Sequence, residues 1–139
     1  MISAVSAQGQ MYFECFEGKM ESLRFIEFLK SLRESAGVPI VVIVDGGSYH
    51  KSKSVINFVE EEGSLLKIKL VLLPPYSPEL NPDEQVWNQA KKRLGQISLN
   101  SKKDLKDAVT TVLTAIQKSI DLVKSFFRLP DTLYACNPI

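Results

Sequence analysis

Two short apolar segments with a helical pattern between them constrain the fold of this chain more than any other feature. Residues 40–44 form a continuous β-branched run, IVVIV, and residues 67–73 form a second apolar run. A continuous run such as that at residues 40–44 is typical of strands buried on both faces of a sheet. The segment between them carries apolar residues at helical spacing: Val55, Ile56, Phe58 and Val59. The order strand–helix–strand predicts a crossover unit with a parallel pair of strands.

The elements before this unit are predicted to be a hairpin and a helix. Residues 2–5 and 11–16 are short strand-like runs, and Gly9 between them is free to adopt a positive φ in the turn. Residues 20–34 have a broad apolar face at helical spacing. The helix of the crossover unit has Ser52 or Ser54 as its N-cap, and we expect it to end at Gly63.

Two further helices are predicted toward the carboxyl terminus. Asn81 is a suitable N-cap and Pro82 a suitable first residue for a helix over residues 82–94. A last long helix starts near Ser101 and has apolar residues every three to four positions: Leu105, Val109, Val112, Leu113, Ile116, Ile120, Val123 and Phe127. The predicted fold class is therefore α/β, with a mixed sheet flanked by helices.

The composition is that of an ordinary globular protein. The chain has 139 residues, of which 45% are hydrophobic and 24% charged, so one domain over residues 1–139 is predicted. Its net charge of +1 makes no general case for nucleic acid, although a local basic face remains compatible with it. Cys15 and Cys136 lack metal-ligand spacing and are predicted to be free thiols. No apolar stretch is long enough for a membrane span, and a cytoplasmic location is expected.

A proline-rich segment precedes the helix over residues 82–94. It reads LPPYSPELNPDEQVW over residues 73–87. Its three prolines before Asn81 fix φ and restrict their neighbours, so this loop is predicted to hold one path: Pro74, Pro75 and Pro78. Tyr76 and Leu80 are candidates for packing the loop against the core. A rigid loop suggests that the helix start which follows it is placed accurately.

The first turn of that helix carries Asp83 and Glu84, and two interpretations remain open for Glu84. It follows Asn81 by three residues, which is the spacing of a capping box. A capping role alone does not require prolines that fix the loop before the helix. The prolines therefore favour the interpretation of Glu84 as a catalytic carboxylate. Asp83 is interpreted as a partner of the helix dipole or a bystander. Trp87 is expected to pack under the helix.

Asp45 ends the first apolar run. Ligands of open α/β sheets bind at the carboxyl ends of the strands, which is where Asp45 is predicted to lie. The alternative is a turn residue preceding Gly46 and Gly47. Glu84 follows the next predicted strand, and this second acid favours the functional interpretation of Asp45.

Several basic residues have two open interpretations each. His50, the only histidine, is either a polar turn residue or a phosphate contact, and Lys51 beside it is a surface lysine or a contact to a nucleic-acid backbone. Lys91, Lys92 and Arg93 form either a solvated helix face or a phosphate-binding face. The sequence contains no glycine-rich phosphate loop, zinc spacing or nucleophile partnered by a second histidine.

These motifs carry a family resemblance that covers nearly the whole chain. VIVDGGSYHKSK followed by LVLLPPYSPELNPDEQVWNQAKKRL resembles the catalytic domain of DDE transposases, nearest to the bacterial insertion-sequence branch of the mariner-like superfamily. The resemblance implies an RNase H-like fold, cytoplasmic action at the nucleoid, and DNA substrates, namely transposon ends and target. It also implies an active site of two Asp and one Glu holding two Mg²⁺ (or Mn²⁺) ions for in-line displacement at a phosphodiester.

Two residues match that active site. Asp45 corresponds to the second Asp and Glu84 to the Glu, and both are implied as catalytic metal ligands. Gly46 replaces the Asn that usually follows the second Asp. No residue matches the first Asp, which the family carries on a strand before the segment that residues 1–5 resemble, and Glu14 and Glu17 are not suitable replacements.

The missing match leads to several expectations. The chain is expected to be the N-terminally truncated, carboxyl-terminal part of a transposase domain, without the first strand and the N-terminal DNA-binding region, and to have little activity alone. A separate N-terminal transposase half or a homodimer is expected to cover the exposed sheet edge. The alternatives are a non-catalytic DNA-binding or assembly module, a nuclease of the resolvase type, and a decayed remnant.

Overall fold

The computed structural model describes residues 1–46, 52–98, 100 and 102–136. The described strands are β1 (Ile2–Val5), β2 (Met11–Glu14), β3 (Ile40–Val44) and β4 (Ile68–Leu72). The α-helices are α1 (Ser22–Ala36), α2 (Lys53–Glu60), α3 (Glu62–Leu66), α4 (Asp83–Leu94), α5 (Lys102–Lys118) and α6 (Ile120–Ser125). The chain divides into two compact units, one formed by Met1–Phe16 with the chain from Pro82 onward, and one formed by Glu17–Asn81.

The first unit contains the predicted hairpin. β1 and β2 pair in antiparallel register, with Ile2 opposite Glu14 and Val5 opposite Met11. Gly9 in the turn has φ of 93°, as the sequence predicted, and the N–H of Ser6 donates to the carbonyl of Gln10 at 2.9 Å. α4 and α5 pack together in this unit, and the Gln117 side chain donates to the carbonyl of Met11 at 2.8 Å.

The carboxyl-terminal helix differs from the prediction. We predicted one long helix, but α5 ends at Lys118 and α6 begins at Ile120, with Ser119 at φ −93° and ψ 82° between them. The hairpin turn lies against this break, because a Cβ built on Gly9 would approach the carbonyl oxygen of Ile120 to 2.9 Å. Ile120 is exposed, although its helical spacing had suggested burial. The break in the helix thus coincides with a contact from the hairpin turn.

The segment that follows α6 is held to the end of that helix by a buried hydroxyl group. Thr132 is fully buried, and its Oγ1 donates to the carbonyl of Phe126 at 2.7 Å. This bond satisfies one of the carbonyls that a helix end leaves without a backbone partner. The segment predicted to be irregular forms a 3₁₀ turn over Leu133–Cys136.

The second unit contains the predicted crossover. β3 and β4 are parallel, with Ile40 opposite Ile68 and Val44 opposite Leu72. The apolar side chains of α1 and α2 form the core of this unit together with those of the strands: Phe25, Ile26, Phe28, Leu29, Val44, Val55, Phe58 and Ile68. Ser52 caps α2 by accepting a hydrogen bond from the N–H of Val55 at 3.3 Å.

Gly63 does not end α2, contrary to the prediction. α2 ends at Glu60, and the chain turns at Glu61 and continues as α3, in which Gly63 is buried. A Cβ on Gly63 would lie 3.2 Å from the carbonyl oxygen of Phe58, so the glycine permits a close backbone approach. The left-handed stop falls instead at Lys67, with φ of 61°.

The α/β class is confirmed, with one difference in how the strands assemble. The predicted mixed sheet combines antiparallel and parallel pairs, and both pairs are present. Among the described residues they form two separate two-stranded sheets, one in each unit. No helix in the described part of the chain is long and apolar enough to cross a membrane.

Candidate functional site

Asp45 lies at the carboxyl edge of the parallel strand pair. Val44 before it is buried, and its carbonyl accepts a hydrogen bond of 2.7 Å from the N–H of Leu73. This bond continues the β3–β4 pairing one step past the last paired residues, so the backbone preceding Asp45 is held at the point where the proline loop begins. The Asp45 side chain is exposed. It therefore lies where a ligand approaches an open α/β sheet.

The proline loop, residues 73–81, is held by its own hydrogen bonds. The Ser77 hydroxyl donates to the carbonyl of Pro75 at 3.2 Å, and the N–H of Leu80 donates to the carbonyl of Ser77 at 3.1 Å. Pro78–Leu80 forms a short 3₁₀ turn. These contacts stabilise the loop conformation, and its restriction to a single path stays a prediction. Tyr76 was predicted to pack against the core, but its side chain is 100% exposed.

Asp83 at the start of α4 is bound to β1. The Ser3 hydroxyl lies 2.7 Å from Oδ1 and 2.9 Å from Oδ2 of Asp83, so it donates to this carboxylate. Both residues are half-buried and belong to the same unit. The contact gives Asp83 a structural role in docking the start of α4 on the hairpin. α4 begins one residue later than predicted, although Pro82 already has helical angles of −57° and −28°.

Loss of the Ser3 hydroxyl is expected to destabilise the first unit. Ser3→Ala leaves the half-buried Asp83 carboxylate without this donor, and a hydrogen bond to a charged group contributes about 1.5–3 kcal/mol. We expect a loss near the lower end of that range in chemical denaturation. Ser6→Ala is the matched control, because the Ser6 hydroxyl makes only exposed contacts with Gln10. Equal stability of the two variants would contradict a docking role for Ser3.

Glu84 follows Asp83 and points in a different direction. Successive residues of an α-helix are rotated by about 100°, so Glu84 does not share the hairpin-facing side of Asp83. Glu84 is half-buried, and the next turn of α4 buries Val86 and Ala90. Trp87, which was expected to pack under the helix as part of the core, is half-buried.

The basic residues of α4 lie in its last turn. Lys91 and Lys92 are exposed and Arg93 is half-buried. Cations at this end are favourable for the helix dipole, which is a sufficient structural reason for their position. Lys103 and Lys106 of α5 are also exposed and belong to the same unit.

No metal-holding cluster is found among the predicted site residues that the structure describes. His50 and Lys51 lie outside the described residues. Within the described ranges, no group of three or more His, Cys, Asp or Glu side chains is placed to hold a metal ion. Asp45 and Glu84 belong to different units. Burial raises the pKa of the Tyr134 phenol above its usual value, and this residue is remote in sequence from both acids.

Sequence reasoning missed the role of Ser3. Its partner Asp83 lies 80 positions away along the chain. A serine in a short hairpin strand carries no signal for such a pairing, whereas the acidic residue in the first helical turn was visible in the sequence.

Comparison with known proteins gives one family and a related fold. The family described as DDE superfamily endonuclease matches residues 1–106. The catalytic domain of Mos1 transposase, solved with raltegravir and Mn, is similar in structure with a TM-score of 0.63 and 15% sequence identity. The match covers 92% of this chain and 72% of the Mos1 chain. No curated protein matches this chain.

The parallel crossover, the antiparallel hairpin and the structural similarity define an RNase H-like α/β domain. The chain belongs to the DDE superfamily endonucleases. The predicted family resemblance and fold class are thereby confirmed.

Proposed function

We propose that this chain contributes Asp45 and Glu84 as metal ligands to a transposase site that cleaves and joins DNA strands. The single observation that carries the proposal is the position of Asp45. It is an exposed carboxylate at the carboxyl end of β3, held beside the start of the proline loop by the Leu73–Val44 hydrogen bond. That loop continues into the first turn of α4, which carries Glu84. The family match supports the same assignment.

The chemistry of these donors suits a hard divalent cation. Carboxylate oxygens are the ligands that Mg²⁺ and Mn²⁺ accept most readily. A bound ion of this kind polarises a phosphodiester and lowers the pKa of a coordinated water or hydroxyl. The two proposed carboxylates are only part of the three-carboxylate set that the family resemblance implies, and the described residues contain no cluster of three.

The incomplete donor set leads us to expect little strand cleavage by the 139-residue chain alone. The test is incubation of the chain with supercoiled and transposon-end DNA in Mg²⁺ or Mn²⁺, with EDTA as the metal-free arm. We expect at most weak nicking of the DNA, and we expect this nicking to disappear in EDTA and in Asp45→Asn. Glu79→Gln, which neutralises an exposed acid in the proline loop, is the control and should leave such nicking unchanged.

Two other outcomes would change the proposal. Robust cleavage abolished by Asp45→Asn would show that the chain completes the site without a third carboxylate from elsewhere. Cleavage that persists in EDTA or in the Asp45 variant would contradict the proposed ligands.

The basic end of α4 is proposed to contact the DNA backbone through Lys91 and Lys92, with Arg93 as a half-buried third cation. His50 and Lys51 are proposed contacts on sequence grounds alone. Replacing Lys91 and Lys92 with glutamine removes two exposed charges. Each phosphate contact contributes about 0.9 to the slope of log affinity against log salt for duplex DNA, so the slope should fall by about 2.

A matched double variant tests this assignment. Lys19→Gln with Lys118→Gln removes the same charge from two other exposed positions. Fluorescence anisotropy of labelled duplex over a range of salt concentrations should give an unchanged slope for this control. Equal slopes for both double variants would mean that the end of α4 makes no specific phosphate contact.

The partners follow from the same proposal. We propose transposon ends and target DNA as substrates, in the cytoplasm at the nucleoid, with a bacterial insertion sequence as the source. A separate N-terminal transposase half or a second copy of the chain is proposed to supply the remaining donor. A non-catalytic DNA-binding or assembly module is the second candidate, favoured by the missing three-acid cluster in the described residues. It predicts DNA binding that is independent of divalent metal.

A further inference from the structure

Tyr76 combines complete exposure with an uncommon backbone conformation. Its side chain is 100% exposed and its φ is 55°. Non-glycine residues with positive φ are a few per cent of the total, and aromatic side chains are not among those that favour it. Burial therefore does not explain why a tyrosine occupies this position, where glycine or asparagine would adopt the same backbone angles at a lower cost.

The loop around Tyr76 is preorganised. Pro75 precedes it and Pro78 follows two residues later, and the Ser77 hydroxyl bridges back to the carbonyl of Pro75 at 3.2 Å. A backbone restrained in this way has little conformational freedom to lose when the ring that it carries contacts a partner. Preorganisation of this kind raises affinity by lowering the entropy lost on binding.

The charge of the loop indicates which part of DNA the ring contacts. Residues 73–81 contain a single formal charge, the exposed Glu79, and no cation. This segment therefore offers no cationic side chain to a phosphate. An exposed aromatic face accepts an unpaired base of any identity by stacking. A protein partner requires a contiguous interface of about 800 Å² on each side, which one projecting ring does not supply.

We propose that Tyr76 is a stacking platform for an unpaired DNA base, eight positions before Glu84. The inference rests on the proposed DNA-cleaving function, since strand cleavage and joining expose unpaired bases near the reacting phosphate. It assigns to Tyr76 a binding role that is separate from the metal ligands and from the basic end of α4.

The test compares a labelled single-stranded oligonucleotide with the blunt duplex of the same sequence. Tyr76→Ala should weaken single-strand binding by about 5- to 150-fold, the range expected from loss of one stacked base. Its affinity for the blunt duplex should change by less than about twofold, because paired bases are not available for stacking. Tyr76→Phe keeps the ring and should bind both probes like the wild-type chain.

The salt dependence separates stacking from phosphate contacts. Tyr76→Ala should lower single-strand affinity equally at every salt concentration, leaving the salt slope unchanged, whereas the Lys91 and Lys92 variants change the slope. Tyr76→Asn is the second ring-free variant, because asparagine adopts the left-handed conformation readily. Leu65→Ala is the control, since Leu65 is an 85% exposed apolar residue of the same unit.

Three results would overturn the inference. Unchanged single-strand affinity in Tyr76→Ala and Tyr76→Asn would rule out base stacking by Tyr76 and would leave the proposed function intact. Loss of self-association in sedimentation experiments, with DNA affinity unchanged, would assign the ring to a protein contact. Absence of all DNA binding by the wild-type chain would contradict the proposed function, and the stacking role with it.

Discussion

Gly9→Ala is expected to lower the free energy of unfolding by about 2–5 kcal/mol. Two effects combine at this position. The backbone has φ of 93°, and a Cβ would lie 2.5 Å from Ile120 Cγ2 and 2.9 Å from the Ile120 carbonyl oxygen. The side-chain atom can move, but the carbonyl belongs to the break between α5 and α6. The hairpin turn or the start of α6 therefore has to shift.

Gly18→Ala separates the two effects. Gly18 has a similar φ of 86°, and a Cβ there would meet no atom within 4 Å. It should show the backbone cost alone, about 1–2 kcal/mol. Chemical denaturation of both variants measures the difference. Adding Ile120→Ala to Gly9→Ala removes one of the clashing atoms and should restore part of the loss. Equal stability of the two glycine variants would contradict the close packing of the turn on α6.

Asp45→Asn and Glu84→Gln are each expected to weaken Mn²⁺ binding on the order of 100-fold. Each change keeps the shape of the side chain and removes the negative charge that attracts the cation. Asp45 is exposed and Glu84 half-buried, so neither substitution leaves a buried charge without a partner. Calorimetric titration with Mn²⁺ measures the effect, and thermal unfolding checks that both variants remain folded.

Asp121→Asn and Glu79→Gln are the matched controls for these two substitutions. Both residues are exposed acids outside the proposed ligand set, so the controls remove the same charge elsewhere on the surface. Their Mn²⁺ affinity should stay within about twofold of the wild-type value, because exposed charges are screened by salt. A loss in the controls equal to that in the Asp45 and Glu84 variants would indicate diffuse attraction of the ion.

The parts of the fold that were predictable from the sequence are those that local physics decides. The run at residues 40–44 forms β3 with the predicted bounds, since β-branched residues favour strands. The expected burial on both faces is not observed, because Val44 is buried but Val41 is exposed. Gly9 forms the predicted turn because a positive φ strongly favours glycine. Ser52 caps α2 for a similarly local reason, through its own side-chain oxygen.

The parts that were not predictable depend on contacts between distant residues. The break at Ser119 coincides with packing of the Gly9 turn, more than a hundred residues earlier. Gly63 was interpreted as a helix stop, yet it serves a close approach to the Phe58 carbonyl. Tyr76 was a candidate for packing the proline loop against the core, and its full exposure became visible only in the structure.

In the candidate site too, features with local sequence signals were predictable and those set by contacts between distant residues were not. The position of Asp45 after β3 and of Glu84 in the first turn of α4 could be predicted, because strand ends and helix starts have sequence signals. The role of Asp83 was resolved by its hydrogen bonds to Ser3. The assignment of Asp45 and Glu84 as metal ligands stays a prediction.

Metal-directed backbone cleavage tests that assignment most directly. Fe²⁺ replaces Mg²⁺ in carboxylate sites, and with ascorbate and peroxide it cuts the nearby polypeptide. Mass spectrometry of the fragments identifies the cut positions. The proposed function predicts cuts beside Asp45 and beside Glu84, both suppressed by excess Mg²⁺ and both lost in Asp45→Asn. Cuts confined to other acidic segments, or cuts that Mg²⁺ does not suppress, would contradict it.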